Sequence, residues 1–310
     1  MEEGLCYEDH FVFHGIERRS TRKKDTAHRS AIPQKAYKNI TFLNSPDARV
    51  VRILSEYLEP LSRLRRLKIN DTIVFFGSAR NTNVREARVR LKDAEKKMEQ
   101  IERGGERGAH DRAKAEKELR LAEAGMAMAR YYEDAVKLSE MLTRWSMSLV
   151  GNGGQRFVIC SGGGPGIMQA ANKGASNAGG LSMGLNISLA HEQYPNPFIT
   201  PNLNMEFHYF FMRKFWFVYL AKALVVFPGG FGTMDELMEV LTLLQTGKIK
   251  KRMTVLIYGS DYWKKVLNFG ALVEAGAITE SDLKLFSFAD DPNTAFEILT
   301  RELKKNYGLR

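Results

Sequence analysis

Arg156–Gly180 reads RFVICSGGGPGIMQAANKGASNAGG, and Ala223–Lys248 reads ALVVFPGGFGTMDELMEVLTLLQTGK. In each, a short apolar run stops at a cluster of glycines and an apolar-rich stretch without strand alternation follows. A brief uninterrupted apolar run bounded by glycine reads as a strand buried on both faces, and the longer stretch after it as a helix. The scheme recurs along the chain. TIVFFGSAR (Thr72–Arg80) is a strand running into Gly77-Ser78. LSMGLNISL (Leu181–Leu189) and MTVLIYGS (Met253–Ser260) are further strands. NMEFHYF (Asn204–Phe210) is another, leading into the helix FFMRKFWFVYLAKA (Phe210–Ala223). Strands alternating with helices predict an α/β fold: a Rossmann-like, doubly wound parallel sheet covered on both faces, with right-handed crossovers. Ligands in such sheets bind beyond the carboxyl ends of the strands. Both glycine loops, and GSAR, fall there.

The 310 residues suit one large domain with appendages. Residues 1–45, with the basic run RRSTRKKD (Arg18–Asp25), read as an N-terminal extension, and 46–310 as the Rossmann-like domain. Residues 47–67 read as a helix bent or interrupted at Pro60. Residues 83–128 read as an inserted α-helical hairpin, its two Ala-, Glu-, Lys- and Arg-rich arms separated by Gly104–Gly108. The second arm is expected to run on into YYEDAVKLSEMLTRWSMSLV, which has the apolar spacing of a core-packed helix.

Composition excludes several classes. With 44% hydrophobic and 26% charged residues the chain is neither disordered nor fibrous. Its only cysteines, Cys6 and Cys160, imply no disulfide framework and fit a reducing compartment, with Cys160 a small buried hydrophobe. The acidic start lacks the features of a signal peptide. The longest apolar stretch, Phe207–Phe227, is broken by Arg213, Lys214 and Lys222, so no membrane span is expected and the protein is read as cytoplasmic. The net charge of +10 has no nucleic-acid-binding signature beside it, and nucleic acid is not expected as a partner.

SGGGPG (Ser161–Gly166) follows a strand and opens a helix. Its glycines let backbone N–H groups approach an anion, and the helix start adds partial positive charge. It is neither a G-x-G-x-x-G fingerprint nor a P-loop. PGGFGTMDE (Pro228–Glu236) repeats the arrangement and admits two readings. Thr233 and Glu236 stand in T-x-x-E spacing, so Thr233 could be a helix N-cap with Glu236 completing a capping box. Alternatively Gly229, Gly230, Gly232 and Thr233 wrap a phosphate and Glu236 faces the ligand one turn in. Arg213 has a plain reading too, a snorkelling cation on an aromatic helix. Cys6, His10 and His14 have helix spacing but make a weak metal site. His191 and His208 read as structural histidines rather than pocket residues. Phe207, Phe210, Phe211, Phe215 and Trp216 form an apolar stripe read as a homodimer interface.

Pro228–Glu236, as P-G-G-x-G-T-x-x-E, resembles the signature of the LOG (lonely guy) family, whose members include cytokinin riboside 5′-monophosphate phosphoribohydrolases and bacterial relatives acting on AMP. Many members carried the older label lysine decarboxylase. FFGSAR, SGGGPGIMQAANKGASNAGG and the Arg213-Lys214 pair match further family segments, over Thr72–Arg80 and about Tyr131–Gly259. The resemblance implies hydrolysis of a nucleoside 5′-monophosphate to free base and ribose 5-phosphate, without metal or cofactor. It implies catalysis by Arg213 and Glu236. It implies substrate or phosphate binding by Ser78, Arg80, Gly162, Gly163, Gly164, Gly166, Met212, Lys214, Gly229, Gly230, Gly232 and Thr233. It also implies a homodimer or higher homo-oligomer. The N-terminal extension and the 83–128 insertion depart from the compact family pattern. The alternative is a non-catalytic binder of a phosphorylated ligand, as molybdenum-cofactor carriers of the same fold are. Lysine decarboxylation itself would need a pyridoxal phosphate lysine, and no lysine stands in a fitting setting.

Overall fold

All five residues of Thr72–Phe76 are buried, and they form β1, the middle of the sheet. The computed structural model describes residues 33–103, 109–149, 154–188 and 194–309. Cys6, His10, His14, His191 and the Gly104–Gly108 break lie outside the described residues, as does most of the 1–45 extension. The chain divides into two units, one ending at Arg49 and one spanning Val50–Arg310. In the first, the short helix α1 (Ile40–Leu43) is capped by Asn39, whose side chain accepts from the Phe42 N–H.

The second unit holds the sheet. Beside β1 stand β2 (Val158–Ser161), β3 (Ser182–Ile187) and β4 (Asn204–Phe207) on one side. On the other are β5 (Ala221–Val226), β6 (Thr254–Tyr258) and β7 (Phe286–Ala289). The order is β4-β3-β2-β1-β5-β6-β7, and every pairing is parallel. The chain therefore winds outward from β1 to β4, then returns to β5 at β1's free flank. That reversal is a topological switch point, the place where open α/β sheets bind ligands.

The pleat divides the core. Val74 and Phe76 face a cluster with Leu64 of α2 (Arg49–Arg66), Trp216 and Phe217 of α6 (Phe210–Leu220), and Leu237 and Val240 of α7 (Phe231–Gln245). Ile73 and Phe75 face the other, with Leu138 and Leu142 of α4 (Ala109–Ser148), Ile167 and Ala171 of α5 (Ile167–Asn177), and Leu299 of α10 (Pro292–Tyr307). Alternate strand residues thus serve opposite layers. Two short helices, α8 (Ser260–Val266) and α9 (Phe269–Glu274), follow β6.

α3 (Val84–Arg103) packs against the first half of α4, with a Lys97–Glu118 ion pair at 2.8 Å between them. The second arm of the insertion does continue: α4 is one helix of 40 residues whose far half is the crossover from β1 to β2. Other boundaries differ from the sequence reading. α2 runs through Pro60 without ending. α6 stops at Leu220 and β5 begins at Ala221, two residues early, because the AKA segment already pairs with β1. Phe207 lies in β4, within the expected strand, and both it and Trp216 are buried, which takes them out of the stripe read as an interface. Cys160 is buried in β2. Among the described residues no helix is long and apolar enough to cross a membrane, and no three His, Cys, Asp or Glu side chains cluster as a metal would require.

Candidate active site

Three loops meet at the switch point. Gly77–Arg80 follows β1, Gly162 follows β2, and Gly229–Thr233 follows β5; they line a cleft of about 570 Å³. Backbone hydrogen bonds hold them in place. Ser78 N–H donates to Pro228 O at 3.0 Å, and Ile167 N–H donates to Ser78 O at 3.1 Å. Gly166, with φ of 71°, makes the second junction close: a Cβ there would lie 2.2 Å from Ser78 O. Tyr262 Oη donates to Gly229 O at 2.7 Å.

α7 begins at Phe231, with Gly230 as its N-cap, so Thr233 is inside the first turn. The capping-box reading is thereby corrected: Glu236 is not three residues past the cap. Thr233 is buried, and its Oγ1 would be 2.2 Å from a Cβ on Gly229. Met234 N–H closes the first intrahelical bond, to Gly230 O. The amides before it have no intrahelical partner, which makes this end of α7 an anion-binding feature.

Glu236, one turn in, meets Arg213 of α6. Arg213 Nη2 lies 3.4 Å from Glu236 Oε1, and the side chains are only 11% and 14% exposed. The guanidinium is stacked near Phe210 and Phe217, 4.9 and 5.6 Å from their ring centres. Its Nη1 would be 4.0 Å from a Cβ on Gly162, so it lies close to the glycine loop after β2. Its Nε is buried with no hydrogen-bond partner. A buried donor of this kind is costly unless something accepts from it. Burial pushes the Glu236 carboxyl up to about 7, against the pull of Arg213. Burial likewise lowers Arg213 from the ordinary arginine value, against Glu236 and Asp235.

Ser78, Arg80, Gly162, Gly229, Gly230, Gly232, Thr233, Arg213 and Glu236 all line this cleft. Others of the expected set do not. Met212 is buried in the core between α6 and the sheet. Lys214 turns away, to Asp235 at 2.7 Å and Glu239 at 3.2 Å. Burial works against its charge, but those hydrogen bonds outweigh it and raise its pKa. Gly163 and Gly164 give their carbonyls to Asn196 Nδ2, and Gly166 lies on the other side of the Ser78–Arg80 loop. His208 stacks edge-on with Tyr209, outside the cleft.

Sequence reasoning missed Tyr262 and Met128, which line the cleft from α8 and α4. It also missed Asn172, which is fully buried and fixes the second glycine loop. Asn172 Oδ1 accepts from Ser161 Oγ at 2.6 Å and from Asn196 Nδ2 at 2.9 Å, while its Nδ2 donates to Ser182 Oγ at 2.6 Å.

A family model described as possible lysine decarboxylase matches residues 168–299. Among solved structures, the X-ray structure of TM1055, a structural-genomics target, aligns at 14% identity and a TM-score of 0.41, covering 74% of this chain and 99% of its own. Two structures of the molybdenum cofactor carrier protein from Chlamydomonas reinhardtii align at 18% and 19% identity, with TM-scores of 0.38 and 0.37. They cover 56% and 57% of this chain, and 88% and 89% of their own. No curated protein matches.

Proposed function

We propose that the chain is a LOG-family enzyme, a reading supported by its match over residues 168–299 and its P-G-G-x-G-T-x-x-E signature, and that it hydrolyses the N-glycosidic bond of a nucleoside 5′-monophosphate. Water adds across the C1′–N bond, giving ribose 5-phosphate and the free base. The observation that carries this is the Arg213–Glu236 pair, buried together beside the unpaired amides that open α7. A phosphate carrier needs the glycine loops but gains nothing from a desolvated carboxylate beside them.

In this reading the Gly230–Thr233 amides hold the 5′-phosphate and fix C1′ near Glu236. Bond cleavage develops positive charge on the sugar, which an ionised Glu236 stabilises while orienting the hydroxyls or the water. Arg213 Nε, with its unspent donor, takes an oxygen of the phosphate or supports the departing base. Among the described residues no lysine lines the cleft, which counts against a Schiff-base decarboxylase.

The test is chromatography of free base after incubating the protein with AMP, other purine and pyrimidine monophosphates, and a cytokinin riboside monophosphate. Base release that disappears in Glu236→Gln supports the reading. Ligand retained without turnover, and unchanged by that substitution, makes the chain a carrier. The same proposal includes a cytoplasmic homo-oligomer. Phe210, Phe211, Phe215 and Tyr219 lie on one helix, exposed at 50%, 55%, 38% and 46%. Light scattering on Phe211→Asp checks it, with a shift to monomer expected.

A further inference from the structure

The inserted hairpin encloses space of its own. Between α3, the first half of α4 and the outer side of the Ser78–Arg80 loop lies a second cleft of about 670 Å³. It shares Ser78, Ala79, Arg80 and Met128 with the first cleft as a partition, but no other residue. A volume of this size suits a nucleotide-sized molecule.

Its chemistry is donor-rich. Arg80 and Arg90 both line it, and among the described residues neither is engaged in an ion pair. Gly166 and Gln169, from the first turn of the 11-residue α5, add a helix amino terminus. The one carboxylate, Glu86, is already occupied, accepting from Asn83 Nδ2 at 2.8 Å. Asn81, only 6% exposed, lines the cleft with its Nδ2 lacking any partner. A buried amide donor left open is a position where a ligand acceptor fits.

A further observation comes from α4. Gly125 sits inside this 40-residue helix and lines the cleft, yet a Cβ there would meet nothing within 4 Å. Glycine weakens a helix interior relative to alanine. Among the described residues nothing requires its missing side chain, and the open face there would accept a flat group laid against the helix. Ala122, Ala124 and Met128 continue the same apolar wall.

We propose that this cleft is a second binding site, for a phosphorylated ligand of nucleotide size, separate from the cleft of Arg213 and Glu236. Its phosphates meet Arg80, Arg90 and the start of α5, and its planar part lies on α4 over Gly125. Because the Ser78–Arg80 loop walls both clefts, occupancy here bears directly on the loop that borders the first.

Adenosine 5′-diphosphate serves as the probe, titrated calorimetrically into the full chain. Gly232→Leu obstructs the first cleft: Gly232 lines it, and a Cβ there meets nothing within 4 Å. In that background one saturable site is expected to remain. Adding Gly125→Leu or Arg90→Glu should weaken it at least tenfold, with the Gly125→Leu thermal midpoint unchanged or raised. In the otherwise native chain, Gly125→Leu should remove one equivalent of bound probe. Absence of saturable binding in Gly232→Leu, or undiminished binding in the double variants, overturns the proposal. Neither result depends on whether the first cleft hydrolyses nucleotides.

Discussion

Glu236 Oε1 stands 3.4 Å from Arg213 Nη2, although the two residues lie on different helices 23 positions apart in sequence. An ion pair in water would drive both groups to full charge. Here burial acts more strongly on the carboxyl than the guanidinium does, and pushes Glu236 up to about 7, where its protonated and ionised forms are both populated near neutral pH. A carboxyl tuned this way sits where proton transfer chemistry is most efficient.

The first consequence is a pH profile. If the ionised carboxylate is the active form, kcat/KM for base release should rise about tenfold per unit below pH 7 and level off above it, since the Glu236 carboxyl titrates at about 7. Glu236→Gln should lose at least about 10²-fold in kcat and leave no such limb. A limb near 4.5 in the native chain would remove Glu236 from this role.

Stability should respond in the opposite direction. Raised from 4.5 to about 7, Glu236 binds its proton more tightly in the folded chain than in the unfolded one. Its contribution is therefore full below pH 4.5, falls as pH rises through that window, and is lost above 7. The difference amounts to about 3 kcal/mol across the window. Urea unfolding of native chain and Glu236→Gln at pH 5 and pH 8 measures it. The variant should gain relative to the native chain at the higher pH, whatever the constant offset between them.

Removing either partner of the pair should not be symmetric. In Arg213→Ala the orphaned carboxyl can protonate, so the fold loses little at pH 6 while the activity limb moves to higher pH. In Glu236→Ala the buried guanidinium keeps its charge with no counter-ion, at a cost of about 3 kcal/mol. Thermal and urea unfolding of both variants at pH 6 compare the two. Equal losses would mean that the pair is not desolvated as the 11% and 14% exposures imply.

Gly166 and Gly232 should also part company. Gly166 has φ of 71°, and a Cβ would meet Ser78 O at 2.2 Å. Gly166→Ala should cost about 3 kcal/mol or more, combining backbone strain with displacement of the Ser78 loop. Gly232 lies in the first turn of α7 with open space around it, and Gly232→Ala should leave stability unchanged or raise it by up to about 1 kcal/mol. Differential scanning fluorimetry ranks the two directly.

β1, β2, β5 and β6 were legible as short apolar runs stopped by glycine or a polar turn, and β3 and β4, which carry Asn, Gly or Glu within them, by their place between the glycine loop and the aromatic helix. β7 was not. Phe286–Ala289 is an edge strand with only Ala289 buried, so FSFA carries no such run. The site divides in the same way. Glycine loops and the Arg–Glu pair announce themselves by motif, and the pair does meet Gly162 and Gly229–Thr233 in one cleft, while Gly163, Gly164 and Gly166 stay out of it. Met212 and Lys214 adjoin Arg213 in the same motif, but each step along a helix turns about 100°. One neighbour therefore enters the core and the other reaches Asp235 on the far side. Asn172 was invisible because its function comes from Ser161, Ser182 and Asn196, residues that only the folded sheet brings around it.

α4 is a single rod of 40 residues, about 60 Å from end to end at helical rise. Its distal half stands in the hairpin and its proximal half anchors Leu138 and Leu142 under the sheet. A load applied at the tip meets no joint along the way, so the core receives it as torque. A partner gripping the hairpin would therefore hold a lever whose middle, at Met128, borders the Arg213–Glu236 cleft.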